Sequence, residues 1–172
     1  FMNENYKDDL IYEIYQKSLL PVQKIDLFRI CCIYLYGGIW LDIKSEINLG
    51  KVLNLFERSN GKGILMYEKR KIAVFDTIKQ KELNSYKNVI HNGFFCLPPK
   101  SPFLKHIISK IKKDYLYFQD IYFKFPKQAI MNLTGPHQFT RSFYDFNDEG
   151  KPDLCSSKDV GWIYFSKYAE FV

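Results

Sequence analysis

Apolar and polar positions along the chain alternate between helical and strand periods. From Asn5 to Leu20, the residues Leu10, Ile11, Ile14, Tyr15 and Leu19 recur at helical spacing, and Asp8 and Asp9 suit a helix start. Pro21 breaks that pattern and can open a second helix, since proline is tolerated in a first turn. There Ile25, Phe28, Cys32 and Leu35 form the expected buried side, with Val22 and Tyr36 extending it. Asp26 and Arg29, three residues apart, are neighbours on another face; read alone, such a pair is a surface ion pair worth little. Gly37-Gly38 ends the helix, with one glycine expected in the left-handed conformation.

From Ile39 the period changes to two. Ile39, Leu41 and Ile43 point one way, and Trp40, Asp42 and Lys44 the other, which predicts a strand that delivers Asp42 and Lys44 to one face at its carboxyl end. Ligands of open α/β sheets gather beyond such ends. Ser45–Leu49 reads as a turn and Leu53–Phe56 as a brief helix or loop. Two strands, Gly63–Tyr67 and Ile72–Phe75, are expected to form a hairpin around the charged tip Glu68–Lys71, followed by a polar loop or flap over Lys79–Lys87.

Val89–Leu97 reads as a buried strand interrupted at His91-Asn92-Gly93, where a bulge would present Asn92. Pro98-Pro99 ends it. Ser101-Pro102 has the cap-then-proline signature of a helix that buries Phe103, Leu104, Ile107, Ile108, Ile111 and Tyr115 and exposes Lys105, Lys112 and Lys113. Thr134-Gly135-Pro136 is a helix entrance with Thr134 as its cap, and its backbone amides could face an anion. Asp145–Lys158 is turn-like in composition, and Val160–Phe165 reads as a last strand.

At 172 residues the chain is a single domain by size, and its 47% apolar and 26% charged composition is that of a globular protein. The net charge of +6 is uneven, with seven lysines between Lys100 and Gln128 against Asp114 and Asp120. The amphipathic helix accounts for that excess, and no recognisable RNA-binding motif interleaves aromatics with the lysines, so nucleic acid is not the expected partner. Cys31, Cys32, Cys96 and Cys155, like His91, His106 and His137, show no metal-ligand spacing. No apolar run is long enough to span a membrane.

If Asp26, Arg29, Asp42 and Lys44 converge, two carboxylates can accept from sugar hydroxyls or hold a hard divalent cation, while arginine and lysine meet phosphate oxygens. That set suits a phosphorylated sugar better than a peptide or an acyl group. No serine or cysteine nucleophile with a histidine partner is apparent.

Asp26-Leu27-Phe28-Arg29 followed by Tyr36-Gly37-Gly38-Ile39-Trp40-Leu41-Asp42 resembles the glycosyltransferases with a DXD sugar-binding region. These are the yeast-type α-1,6-mannosyltransferases, family 32, and more distantly the clostridial glucosylating toxins. Asn92-Gly93-Phe94-Phe95 with Pro98 and Ser101–Leu104 is similar to a second region of the family, and Thr134-Gly135-Pro136 to a third, so the resemblance spans 21–143. It implies a GT-A fold, a Rossmann-like α/β sandwich that takes a nucleotide-diphosphate sugar donor and transfers the sugar, with retention, to a glycan, lipid or protein hydroxyl. By position, Asp26 and Arg29 would contact donor sugar and phosphates, Trp40 would lie beside the nucleotide, Asn92 would join the donor pocket, and Asp42 would be the first acid of the DXD motif and its manganese or magnesium ligand. The second acid is replaced by Lys44, which either supplies the cationic charge at the departing diphosphate in the metal's stead or marks a binding module without turnover. Members usually start with a strand and nucleotide-binding turn that nothing before Asn5 supplies, so the expectation is either a sequence that is part of a longer chain, truncated at its N-terminus, or a degenerate domain.

Overall fold

The computed structural model describes residues 1–76, 81–118 and 122–164. The helix that opens at Pro21 is the element around which the rest is placed. It follows two short helices, α1 (Met2–Tyr6) and α2 (Leu10–Lys17), where one continuous helix was expected. Asp9 divides them: its carboxylate accepts from the Ile11 amide at 2.8 Å and caps α2.

Helix α3 runs Pro21–Tyr36 and stops at Gly37, whose φ of 68° is left-handed. Any Cβ there would lie 2.6 Å from Pro99, so glycine is required for space as well as for torsion. The expected buried face is not the observed one. Val22, Ile25 and Tyr36 are exposed and Phe28, Cys32 and Leu35 only half-buried, while Gln23, Asp26, Leu27, Arg29, Ile30, Cys31 and Ile33 are buried. The helix is apolar on nearly every side, so apolar spacing alone cannot choose its inward face; the partners that Asp26 and Arg29 find inside the protein decide it.

Strand β1 (Gly38–Leu41) leaves the glycine stop and pairs antiparallel with β4 (Lys81–Leu97), Gly38 opposite Leu97 and Leu41 opposite Phe94. The strand order is β1-β4-β3-β5, with β3 (Ile64–Asp76) antiparallel to β4 and parallel to β5 (Asp153–Cys155), a short strand within the stretch expected to be turn-like. The α/β architecture is thus present, with a mixed sheet. β3 is one strand, where a hairpin around Glu68–Lys71 was expected. That quartet contains no Gly, Pro, Asn or Asp to make a turn, and its charged side chains extend the strand beyond the core instead. The polar run expected as a flap joins β4 from Lys81; its residues 79–80 lie outside the described residues.

The interruption of β4 does occur. Ile64 and Leu65 pair with Cys96 and Phe95, but Tyr67 pairs with Ile90, so His91, Asn92, Gly93 and Phe94 stand opposite the single Met66. On one face Leu65, Ile90, Phe95 and Leu97 pack with α1–α3, α5 (Pro102–Phe118) and α7 (Pro136–Asp145); on the other, Ile64, Met66, Phe94 and Cys96 pack with Val52 of α4 (Leu49–Arg58), Cys155 and Val160. Ile39 and Leu41 join the second cluster and Trp40 the first, as the alternation predicts.

Helix α5 begins at Pro102 as expected, although the Ser101 hydroxyl finds no partner among the described residues. Lys105 and Lys113 are exposed, but Lys112 is half-buried against Asp9 at 2.6 Å and Lys110 pairs with Asp145 at 2.7 Å. Thr134 does not cap α7. It ends α6 (Pro126–Leu133), and Gly135 precedes Pro136 without a side-chain cap. Buried Arg141 on α7 ties the three helices together by donating to the Asn132 carbonyl and to Gln138 and pairing with Asp114. The last described strand, β6 (Ile163–Tyr164), pairs with β2 (Ser45–Glu46) and brings Tyr164 beside the turn after β1; residue 165 lies outside the described residues.

Candidate active site

Arg29 is the hub. On α3 it sits one turn after Asp26, and its Nη2 lies 3.0 Å from Asp26 Oδ1. Its Nη1 donates to the Asn92 carbonyl at 2.6 Å and lies 3.2 Å from Asp42 Oδ1. The guanidinium rests 5.1 Å from the Trp40 ring centroid, a cation–π geometry that also restricts its rotation. The bulge in β4 is what allows this, because it carries the Asn92 carbonyl out of the ladder and into reach of a helix residue.

Asp26 lies behind this hub, 2% exposed. It accepts from the Asn92 side chain at 3.1 Å and from the Thr134 hydroxyl at 3.0 Å. Burial raises its pKa to about 6, and nearby Asp42 adds to that; Arg29, Thr134 and Asn92 pull the other way. The arginine is shared between two carboxylates, so its pull on either is divided.

Asp42 closes the opposite side. Trp40 Nε1 donates to its Oδ1 at 2.9 Å, the same oxygen that meets Arg29, and its amide donates to the Gly93 carbonyl at 2.9 Å. A Cβ on Gly93 would stand 2.6 Å from both Asp42 Oδ2 and His91 Cε1. Gly93→Ala is therefore expected to keep the fold, at a cost of about 1–3 kcal/mol, while pushing the Asp42 carboxylate off Trp40; loss of the Trp40 indole proton's hydrogen-bonded NMR shift would report it. The Gly93 amide also donates to His91 Nδ1 at 3.2 Å, which leaves the His91 proton on Nε2, and burial holds the imidazole pKa below its usual value.

Lys44 is not on the strand. β1 ends at Leu41, and Asp42–Lys44 form a turn in which the Ser45 amide donates to the Asp42 carbonyl at 2.9 Å; Ile43, expected on the same strand face as Ile39 and Leu41, is 95% exposed. The strand alternation stops because that turn redirects the chain into β2. Lys44, Arg29, Trp40, Asp42 and Tyr164 line a cleft of about 590 Å³, and among the described residues the Lys44 ammonium has no ion pair. Across Asp42 a larger cleft of about 870 Å³ is lined by His91, Glu68, Lys69, Lys158, Trp162 and Tyr164, among others.

Of the residues singled out in the sequence, Asp26, Arg29, Trp40, Asp42 and Asn92 form one bonded cluster, and Lys44 shares its cleft. Sequence reading missed Thr134 as a partner of Asp26, and His91, Trp162 and Tyr164 as cleft residues; only the bulge signal at His91-Asn92-Gly93 pointed near any of them. For a divalent cation, Asp42 offers one free oxygen beside an arginine and a lysine. Among the described residues no group of three His, Cys, Asp or Glu side chains could hold a metal, so the donor set does not fit a resident ion by itself.

Residues 1–49 match the family described as the glycosyltransferase sugar-binding region containing a DXD motif. That match ends five residues beyond Lys44 and so takes in Asp26, Arg29, Trp40, Asp42 and Lys44. The solved structure of the PaToxG glycosyltransferase is similar over 84% of this chain at 14% identity, with a TM-score of 0.48. The chain spans 43% of that structure's length. No curated protein matches the chain. Among the described residues no helix is long and apolar enough to cross a membrane.

Proposed function

We propose that this domain is a glycosyltransferase of GT-A type, which binds a nucleotide-diphosphate sugar and transfers the sugar, with retention, to a hydroxyl of a glycan, lipid or protein. The observation that carries this reading is the single cluster in which Arg29, Asp26, Asp42 and Trp40, all inside the segment that matches the DXD sugar-binding family, are joined by Asn92 from β4.

The roles follow from exposure and charge. Lys44 and the largely buried Arg29 line the smaller cleft, where their positive charge stabilises negative charge growing on the diphosphate as the glycosidic bond breaks. The exposed edge of Asp42 accepts from sugar hydroxyls. Trp40 holds Asp42 and Arg29 in register beside the donor. Asp26 and Asn92 are positioning residues, since both fix Arg29 from the buried side. No step is assigned to a manganese or magnesium ion.

Calorimetry with a panel of UDP- and GDP-sugars, with and without manganese, tests the reading; a folded chain that binds none of them overturns it. Lys44→Ala is expected to lower the transfer rate by about 10²-fold while leaving thermal stability within about a degree, because the ammonium has no ion-pair partner among the described residues. The same lysine at the second acid position favours one other reading, a module that binds sugar nucleotides without turnover. In that case donor binding saturates with no product, and Lys44→Asp creates manganese-dependent transfer.

A further inference from the structure

A ledge beside the larger cleft carries unneutralised positive charge. Lys51 and Arg58 project from α4, and together with Lys158, Asn48, Asn54 and Asp159 they line a cleft of about 610 Å³. All three cationic residues are exposed, and none of their charged groups forms an ion pair or hydrogen bond among the described residues. Asp159, the one acid in the lining, is occupied: its carboxylate accepts from the Ser156 amide and hydroxyl, both at 2.7 Å. Those two bonds, with Lys51 and Arg58 nearby, hold its pKa below the usual carboxylate value. Three cations against one carboxylate leave the ledge with a net positive charge.

The ledge is continuous with the proposed active site, because Lys158 lines both this cleft and the larger one that reaches Asp42 and His91. Within the larger cleft Trp162 and Tyr164 stand 5.8 Å apart at an interplanar angle of 35°. Aromatic faces of that kind pack against the apolar faces of sugar rings, and the Asn48 and Asn54 amides add donors and acceptors of the sort that hydroxyls use.

We infer that the acceptor is an oligosaccharide bearing carboxylate or phosphate groups, which stacks its sugars over Trp162 and Tyr164 and lays its charges on Lys51, Arg58 and Lys158. This rests on the transferase reading above and names its acceptor class. The aromatic and amide lining favours an anionic glycan over an acidic peptide, for which the charge alone would serve.

Titration calorimetry on the full chain at low ionic strength tests it, with tetragalacturonate and a phosphorylated tetrasaccharide against neutral cellotetraose. One or both charged oligosaccharides should bind about tenfold tighter than the neutral one, and the stronger arm identifies carboxylate or phosphate as the group read. The double variant Lys51→Gln, Arg58→Gln should bring charged and neutral ligands to equal affinity while sugar-nucleotide binding stays as in the unmodified chain. Equal affinities in the unmodified chain overturn the inference, as does hexaglutamate or a thymidine hexanucleotide binding as tightly as the charged sugars. A chain that takes up tetragalacturonate but no sugar nucleotide overturns the transferase reading, and with it the assignment of the ledge to an acceptor. A chain that binds sugar nucleotides yet treats charged and neutral oligosaccharides alike overturns the ledge assignment alone.

Discussion

Arg29→Ala is expected to lower the unfolding free energy by about 3–5 kcal/mol and to remove sugar-nucleotide binding. Both effects come from one side chain with several partners. Its loss leaves the buried Asp26 carboxylate without a countercharge, frees the Asn92 carbonyl that holds the bulge in place, and takes away the cation that keeps Asp42 against Trp40. Arg29→Lys separates the parts. A single ammonium can reach either Asp26 or the pair formed by Asp42 and the Asn92 carbonyl, but cannot span both as the guanidinium fork does. The lysine variant should recover part of the stability and little of the binding. Urea unfolding of the three proteins, with donor calorimetry at matched pH, provides the measurement. An alanine variant that unfolds within about 1 kcal/mol of the parent and still binds donor would show that the cluster is neither a structural nor a functional hub.

Much of this hub was legible in the sequence, for reasons that are local. The proline start and glycine stop of α3, the short strand after it and the interruption at His91-Asn92-Gly93 are all written in a few neighbouring residues, and together they bring Asp26, Arg29, Trp40, Asp42 and Asn92 together. The inward face of α3 was not legible. With apolar residues on every side, the periodicity is nearly flat, and the rotation of the helix is set by polar partners distant in sequence: the Thr134 hydroxyl 108 residues away and Asn92 66 residues away. That rotation turns Asp26 and Arg29 from the surface pair that spacing suggests into a buried one. Lys44 shows the opposite limit. Alternation carried it onto the strand with Asp42, but the turn closed by Ser45 ends the alternation at Leu41 and sets Lys44 on the cleft by another route. Tyr164 is held beside the site by the pairing of β6 with β2, a contact between two-residue strands that no periodicity announces.

The pH dependence of stability should carry the signature of Asp26. Its carboxyl titrates at about 6 in the folded protein against 3.8 unfolded, and burial is the largest cause. Between those values the folded state binds more protons than the unfolded state, so stability falls as pH rises. The contribution is fully present below about pH 4 and gone above about pH 6; a shift of roughly two units corresponds to about 3 kcal/mol. Asp26→Asn removes the titration and keeps a side chain of the same shape. The stability of the parent relative to this variant should therefore drop by about that amount between pH 4 and pH 7, read from urea unfolding at closely spaced pH values; parallel profiles would place the ionisation elsewhere. Asp26→Ala is a poorer probe, because it would also orphan the Asn92 amide and the Thr134 hydroxyl. Donor binding should run against stability. Only the ionised carboxylate fixes Arg29 by charge, so affinity in the parent should climb through pH 6, while the asparagine variant binds weakly at every pH and shows no such rise. A site that gains function over the same pH range in which it loses stability is one whose buried charge is kept for the ligand, and the paired profiles of the parent and Asp26→Asn would show whether Asp26 is that charge.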